Sequence, residues 1–304
     1  MATNRFPLEW RLEMKVKRAS TITSAFDEFR GRLEITDLQQ STVSTRQQRV
    51  RDAVESELEV LDSFLIGAYP RHTMIAPLND ADIDIFMVLG AQYFASDGQA
   101  NLLDRVKRVL RKTYKTPEIS RNGQAVTITF DDFLVDVVPA FNRKGGGYLI
   151  PNSVTKAWVS TDPKVHINLI RQANAGQDGR LVPIVKMVKA WNRNIGHAFV
   201  SFYLELMAQK IFDGVRISDY PSGVRYFFDK GRERIKTKIP DPAGYDDEQV
   251  NGLDEVATVS EAVSRFETAY RRAIKAEMDE TNGHTGWAVD EWRKIFGEYF
   301  PAYS

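Results

Sequence analysis

Acidic residues at alternate positions of an otherwise apolar run are the feature of this chain best suited to chemistry. The run Asp82-Ile83-Asp84-Ile85-Phe86-Met87-Val88-Leu89 lies within "SFLIGAYPRHTMIAPLNDADIDIFMVL", residues 63–89. Its composition predicts a buried strand, and a buried carboxylate is costly unless it is paired, hydrogen-bonded or bound to a metal. Side chains at i and i+2 of a strand share a face, so Asp82 and Asp84 project together, joined by Asp80 if the strand begins that early. A third carboxylate, Asp136 in "FLVDVVP", alternates with Leu134 and Val138 and is equally out of place among apolar neighbours. Like charges gathered in a low dielectric repel unless one is protonated or a cation sits between them. All-oxygen donors favour Mg²⁺ or Mn²⁺ over zinc, and two such ions ~3.5–4 Å apart are a common device for phosphoryl or nucleotidyl transfer. A D-x-D pair alone also suits an exposed loop or a structural salt bridge, so the surrounding elements decide its weight.

Those elements follow a definite order. Phe64-Leu65-Ile66 predicts a strand, Gly67 a turn, and Arg71, His72 and Thr73 a short helix whose N–H groups and hydroxyl could face a triphosphate, ahead of the acidic strand. Upstream, "STRQQRVRDAVESELEVLD" (44–62) places Val50, Val54, Leu58 and Leu61 at helical spacing. Downstream, residues 99–113 carry the stripe Leu102, Leu103, Val106, Val109 and Leu110, and "AVTITFDDFLVDVVPAF" reads as a hairpin turned at Asp131-Asp132. From about residue 165 helices dominate: "LVPIVKMVKAWNRN" is amphipathic and "HAFVSFYLELMAQKIF" is apolar nearly all round. The expected class is α/β (α+β), with a core sheet and a helical second lobe that enclose the site. We divide it at residues 1–160, with N-terminal helices, and 161–304, with a mobile link at Gly145–Gly147 and "IPNSV".

Composition narrows the function classes. The 304 residues suffice for one large domain or two lobes, and 41 Lys+Arg balance 41 Asp+Glu, so no global basic field marks a nucleic-acid binder. With no cysteine, disulfides and thiolate zinc sites are excluded. The N-terminus does not read as a signal peptide, and no apolar run approaches the ~20 residues of a spanning helix, so a cytoplasmic protein without membrane contact is expected. His72, His166 and His197 are scattered, without metal-ligand spacing.

The motif series "GAYPRHT…DADIDIF…LVDVV" resembles the polymerase-β-like nucleotidyltransferases, whose pattern is a Gly-Ser turn, h-D-x-D-h and a later acidic strand residue. Within that superfamily the chain is most similar to the bacterial cGAS/DncV-like nucleotidyltransferases (CD-NTases) of the antiphage signalling systems called CBASS. "YLIPNSVTKAWVSTDPKVH", "PIVKMVKAWNR", "SFYLELM" and "IPDPAGYDDEQV" extend the resemblance over roughly residues 45–275.

The resemblance implies a metal-dependent enzyme that joins NTPs, ATP or GTP, into a cyclic di- or trinucleotide second messenger and releases pyrophosphate. Asp82, Asp84 and Asp136 would hold two Mg²⁺ or Mn²⁺ ions, and Asp136 would help deprotonate the attacking ribose hydroxyl. Gly67, Ala68 and Thr73 would line the donor triphosphate, Lys189 with Lys186 would neutralise its charge, and Ser201 would bond a phosphate oxygen. Phe202, or failing that Tyr203, would stack on a base. A downstream effector would sense the product, an accessory regulator could control the enzyme, and zinc-dependent DNA sensing is not expected without cysteine. One departure stands out: Ala68 occupies the place of the usual serine, with Thr73 as the candidate substitute. The residues themselves leave other readings open. Lys186 and Lys189 also suit a solvated helix face, Arg71 suits phosphate steering or a structural cap, Glu205 suits an internal ion pair, and Trp158 and Trp191 suit packing. The acidic run "GYDDEQVNGLDE" suits a surface loop. Nucleotidyl transfer to RNA or protein, or weak nucleotide binding without synthesis, are the alternative functions.

Overall fold

The computed structural model describes residues 19–78, 81–245, 249–253 and 258–304. Residues 1–18, Asn79, Asp80 and every acidic residue of the run after Tyr245 lie outside them. Among the described residues helix α1 (Ile22–Arg32) comes first, started by a capping box between Thr21 and Ser24. Helix α2 (Asp37–Glu55) starts with a second such box, Thr36 with Gln39. The predicted helix over 44–62 therefore starts earlier and stops at Glu55. Leu58 is buried beyond its end and Leu61 lies exposed in strand β1 (Val60–Ile66), so helical spacing there coincided with a change of element.

The sheet is built from β1, β2 (Asp82–Leu89), β3 (Glu118–Asn122), β4 (Ala125–Thr129) and β5 (Leu134–Asn142) in the order β1-β2-β5-β4-β3. β2 and β5 run parallel at its centre, and the other pairs on this path are antiparallel. Helix α3 (Gln99–Thr113) forms where its stripe predicts, with Leu102, Leu103, Val106, Val109 and Leu110 all buried. The hairpin of β4 and β5 also forms as expected. The end of β5 pairs with β6 (Tyr148–Asn152), which pairs with β7 (Ala157–Thr161). Gly145–Gly147, read from sequence as an interlobe link, are instead the positive-φ turn of the β5–β6 hairpin.

Period-two alternation sorts the sheet residues. Ile83, Ile85, Met87, Val135 and Val137 join the α2 and α3 stripes in one core, whereas Phe86, Val88, Val138 and Ala140 pack with Tyr148 and Ile150 on the opposite face. Asp82, Asp84 and Asp136 have the parity of that second face.

The remainder is helical: α4 (Pro163–Ala175), α5 (Leu181–Asn194), α6 (Ser201–Ile211), α7 (Tyr220–Arg234), α8 (Val259–Thr281) and α9 (Thr285–Phe296). A short ladder of β8 (Ile239–Pro240) and β9 (Gln249–Val250) lies between α7 and α8. Trp191, Phe199, Phe228 and Phe266 pack at the centre of this lobe, and Trp292, Phe296 and Phe300 pack at one end. Phe26 and Phe29 of α1 belong to that end group, so α1 shares the core of the helical lobe although it precedes the sheet in sequence. A backbone pairing of Ala19 with Ala302 and Ser304 fixes the same association.

Candidate active site

The register of β2 on β5 places Asp84 directly opposite Asp136, with Asp82 opposite Leu134. On its other side Asp84 pairs with Ile66, the last residue of β1, so the chain that turns at Gly67 does so beside the carboxylate. Gly67 has φ +70°, and a Cβ built there would fall 1.9 Å from Asp84 Oδ2. The position therefore needs glycine twice, for its left-handed backbone and for the room it leaves the carboxylate. From β4, Thr127 Oγ1 donates to Asp136 Oδ1 at 2.6 Å and orients that group.

Electrostatics separates these acids from ordinary surface carboxylates. Burial, then Asp136 and Asp82, push the Asp84 carboxyl up to about 7 against the opposing influence of Arg71 and Lys189. Burial and Asp136 also raise Asp82, with Arg193 opposing. Asp82 and Asp84, together with Asp136, present the oxygen donors that a hard divalent cation takes, and they fit such an ion. They are not closed around a point: among the described residues no three His, Cys, Asp or Glu side chains are gathered tightly enough to grip an ion unaided.

Gly67, Asp84 and Asp136 line a cavity of about 750 Å³ that also takes in Arg71, His166, Phe202 and Asp241. Its apolar wall includes Phe86, Val138 and Ile150 from the second sheet face. Phe202 is the aromatic residue of its helix that lines the cavity, because Tyr203 is buried and donates its hydroxyl to Arg234 O at 2.9 Å. His166 lies 5.0 Å from the Phe202 ring, centroid to centroid, and its Nε2 is 2.6 Å from Asp241 Oδ1. Burial would raise the Asp241 carboxyl, but the His166 bond and the Ala243 N–H hold it below its ordinary value. This pair escaped the sequence reading because a lone histidine and an Asp-Pro dipeptide 75 positions apart share no local pattern. A larger hollow of about 880 Å³ lies away from these acids, lined by residues of α1, α7 and α8 that include Arg30 and Glu280.

The turn after Gly67 differs from expectation. Residues 67–72 form hydrogen-bonded turns and no helix, with His72 N bonded to Tyr69 O and Thr73 N to Ala68 O, both at 3.0 Å. Those two amides are therefore spent inside the turn. The Thr73 side chain is buried with its hydroxyl 3.4 Å from Ala68 O, so it does not stand in the cavity as a replacement for serine. Ala68 packs partly against the sheet core.

The lysines also separate. Lys186 Nζ bonds Glu34 Oε2 at 2.6 Å, beside the end of α1, and is absent from the cavity wall. Lys189 Nζ bonds Thr73 O at 3.0 Å and Glu205 Oε1 at 2.9 Å and is likewise absent from the cavity wall. Glu205 is the internal partner its apolar helix suggested, and Arg71 completes the group with Nε 2.7 Å from Oε2 and Nη2 3.1 Å from Oε1. Burial would raise Glu205, but Lys189 and Arg71 overturn it and hold the carboxyl down at about 2. Arg71 also lies over the Phe202 ring, its Cζ 4.8 Å from the centroid. Ser201 opens α6 with an exposed side chain, Trp191 is buried, and Trp158 donates its indole N–H to Ala95 O and Ser96 O.

Comparison with known proteins agrees with this arrangement. Residues 21–174 match the Second Messenger Oligonucleotide or Dinucleotide Synthetase domain. A cyclic AMP-AMP-AMP synthase of an Acinetobacter species is 26% identical over 295 residues, covering 88% of this chain and 83% of the relative. Among solved structures, CdnC of Escherichia coli MS115-1 with ATP superposes with a TM-score of 0.71 at 19% identity, over 92% of this chain and 99% of the other. That protein is also known in a complex with HORMA. The Vibrio cholerae DncV cyclic AMP-GMP synthase gives a TM-score of 0.65 at 15% identity, over 96% and 88% of the two chains. These solved structures share the fold, a mixed sheet with a helical lobe.

Proposed function

The chain belongs to the family of second messenger oligonucleotide or dinucleotide synthetases, and from that membership we propose that it condenses NTPs into a cyclic oligonucleotide with release of pyrophosphate. The observation that carries the reading is the direct register of Asp84 with Asp136 at a cavity whose wall also presents Phe202. Asp82, Asp84 and Asp136 would hold the divalent ions, Mg²⁺ or Mn²⁺, which supply positive charge for the triphosphate and acidify the attacking hydroxyl.

The chain's own residues do the rest. Phe202, steadied by the Arg71 guanidinium on one side and His166 nearby, offers an aromatic face to a nucleobase. Gly67 lets the triphosphate approach backbone without a side chain in the way. A ribose hydroxyl attacks the α-phosphorus as the bond to the β-phosphate breaks, and its proton passes to Asp136, whose Oδ1 is already engaged by Thr127. The protein thus contributes position and fixed dipoles.

The Acinetobacter relative supports ATP as one substrate, and the CdnC complex with HORMA supports control by an accessory protein. A downstream effector would read the product in the cytoplasm, and among the described residues no helix is long and apolar enough to cross a membrane. The test is incubation of the purified protein with radiolabelled NTPs and Mg²⁺ or Mn²⁺, then phosphatase. Small phosphatase-resistant products are expected. Label on RNA or protein would replace the proposal with macromolecule modification, and no labelled product with or without the candidate regulator would overturn it.

A further inference from the structure

The turn that borders the acids is held from outside itself. Three polar groups of residues 71–73 reach the helical lobe: Arg71 through Nε and Nη2 to Glu205, and the Thr73 carbonyl through Lys189. Inside the turn two backbone bonds and one long hydroxyl contact remain, while Gly67 and His72 both carry positive φ, 70° and 58°. A turn with two left-handed residues needs its conformation over-determined by its surroundings, and here a single fully buried carboxylate on α6 does that.

We infer that Glu205 is a positioning residue that clamps the Gly67–Thr73 turn to α5 and α6 through Arg71 and Lys189, and so fixes the distance between the carboxylate strands and Phe202. The inference rests on the synthetase reading only for what that distance is used for. Several features make the clamp specific. Its two cations come from different lobes, Arg71 from the turn after β1 and Lys189 from α5. Glu205 is fully excluded from solvent and Arg71 and Lys189 nearly so, which removes water as a competing partner and makes the geometry stiff. Arg71 adds a planar contact that a lysine could not reproduce, because its fork grips both Glu205 oxygens while its face lies on Phe202. The clamp therefore reaches both the turn that touches Asp84 and the ring that lines the cavity. It also assigns Lys189 a task different from direct phosphate contact, since its ammonium is bonded to the Thr73 carbonyl and Glu205 and Lys189 is absent from the cavity wall.

The test compares Arg71→Lys, which keeps the charge and loses the fork, with Glu205→Gln, which keeps the shape and loses the charge. Amide hydrogen exchange is followed at His72 and Thr73 and, as a report on unfolding of the whole chain, at Val135 and Val137 of β5. Exchange at the turn is expected to rise at least tenfold more than any rise in β5 in both variants. In steady-state assays with ATP and Mg²⁺, kcat should fall at least tenfold while KM stays within threefold. Turn and β5 amides that accelerate together would make Glu205 a general stabiliser and overturn the inference, as would a turn that stays protected in Arg71→Lys. Should Glu205→Gln fail to fold, Arg71→Lys alone decides. A wild-type chain that makes no oligonucleotide would sink the proposed activity, whereas the exchange measurement needs no turnover and still judges the clamp.

Discussion

Two charge clusters border the Gly67 turn, one buried and one open to the cavity with Asp82 exposed, and they are built on opposite principles. In the group Arg71–Glu205–Lys189, two cations flank one anion at hydrogen-bonding distances of 2.7–3.1 Å, and the carboxyl is held down at about 2. In the group Asp82–Asp84–Asp136, like charges face one another and Asp84 is held up at about 7. The first cluster is complete without any ligand. Under the proposed function a divalent cation would complete the second, and the repulsion there is what its binding would relieve.

The strongest way to break the contrast is to remove the incomplete cluster. Asp82→Ala with Asp84→Ala should lower product formation at least about a thousandfold, since several kcal/mol of charge stabilisation are lost. Survival of activity in that double variant would end the assignment. The single change Asp84→Asn sharpens the same point through stability. A carboxyl raised in the fold contributes stability below its unfolded value of 3.8 and loses it as pH climbs through about 7. Without divalent ions at pH 8, Asp84→Asn should therefore melt above the wild type, by an amount no greater than about 4 kcal/mol in ΔG. Mg²⁺ should raise the wild-type melting temperature more at pH 8 than at pH 6, because protons compete for Asp84 at the lower pH. Equal shifts at both values would remove that group from the ion site.

The satisfied cluster predicts the reverse sign. Glu205→Gln should destabilise the protein by about 3–5 kcal/mol at pH 7, because two buried cations lose their anion. The carboxyl is depressed, so its contribution is full above its ordinary value of 4.5 and is lost as pH falls toward about 2. The gap between wild type and variant should thus narrow in urea titrations run from pH 5 down to pH 2.5. A constant gap would mean that shape, and not charge, holds the site. Gly67→Ala comes next in size. Its Cβ would collide with Asp84 Oδ2 and sit at a φ that alanine resists, so activity should fall about 10–100-fold with a loss of ~1–3 kcal/mol in denaturant unfolding.

How much of this was legible without coordinates follows from the range of each interaction. The alternation of Asp82-Ile83-Asp84, the stripe of α3 and the β4–β5 hairpin are local periods, and all three form as the sequence implies. The sharing of a face by Asp82 and Asp84 needed only strand parity; the register that sets Asp136 opposite Asp84 needed the fold. The Glu205 partners lie 134 and 16 residues away, so the sequence could announce that a carboxylate in an apolar helix wants a cation and could not say which. The same limit hid the place of α1, whose Phe26 packs on Trp292, and the Thr73 hydroxyl, whose burial no motif encodes.

The smallest effect is the most discriminating, because Lys186 and Lys189 are nearly indistinguishable in sequence. Both are buried on α5, three residues apart, and both end on a carboxylate. Lys186, however, ends on Glu34, whose side chain is 53% exposed, and both groups belong to the helical lobe. An ion pair open to water on one side contributes ~0–1 kcal/mol. Lys186→Met, which retains the apolar stem, should therefore leave kcat/KM for ATP within about twofold and shift the unfolding free energy by no more than ~1 kcal/mol. Lys189→Met removes a cation that also holds the Thr73 carbonyl, and it should lower kcat several-fold more than Lys186→Met does. A tenfold or larger rise of KM in Lys186→Met would instead mean that this ammonium leaves Glu34 for the triphosphate, and the two lysines would then act as one phosphate site.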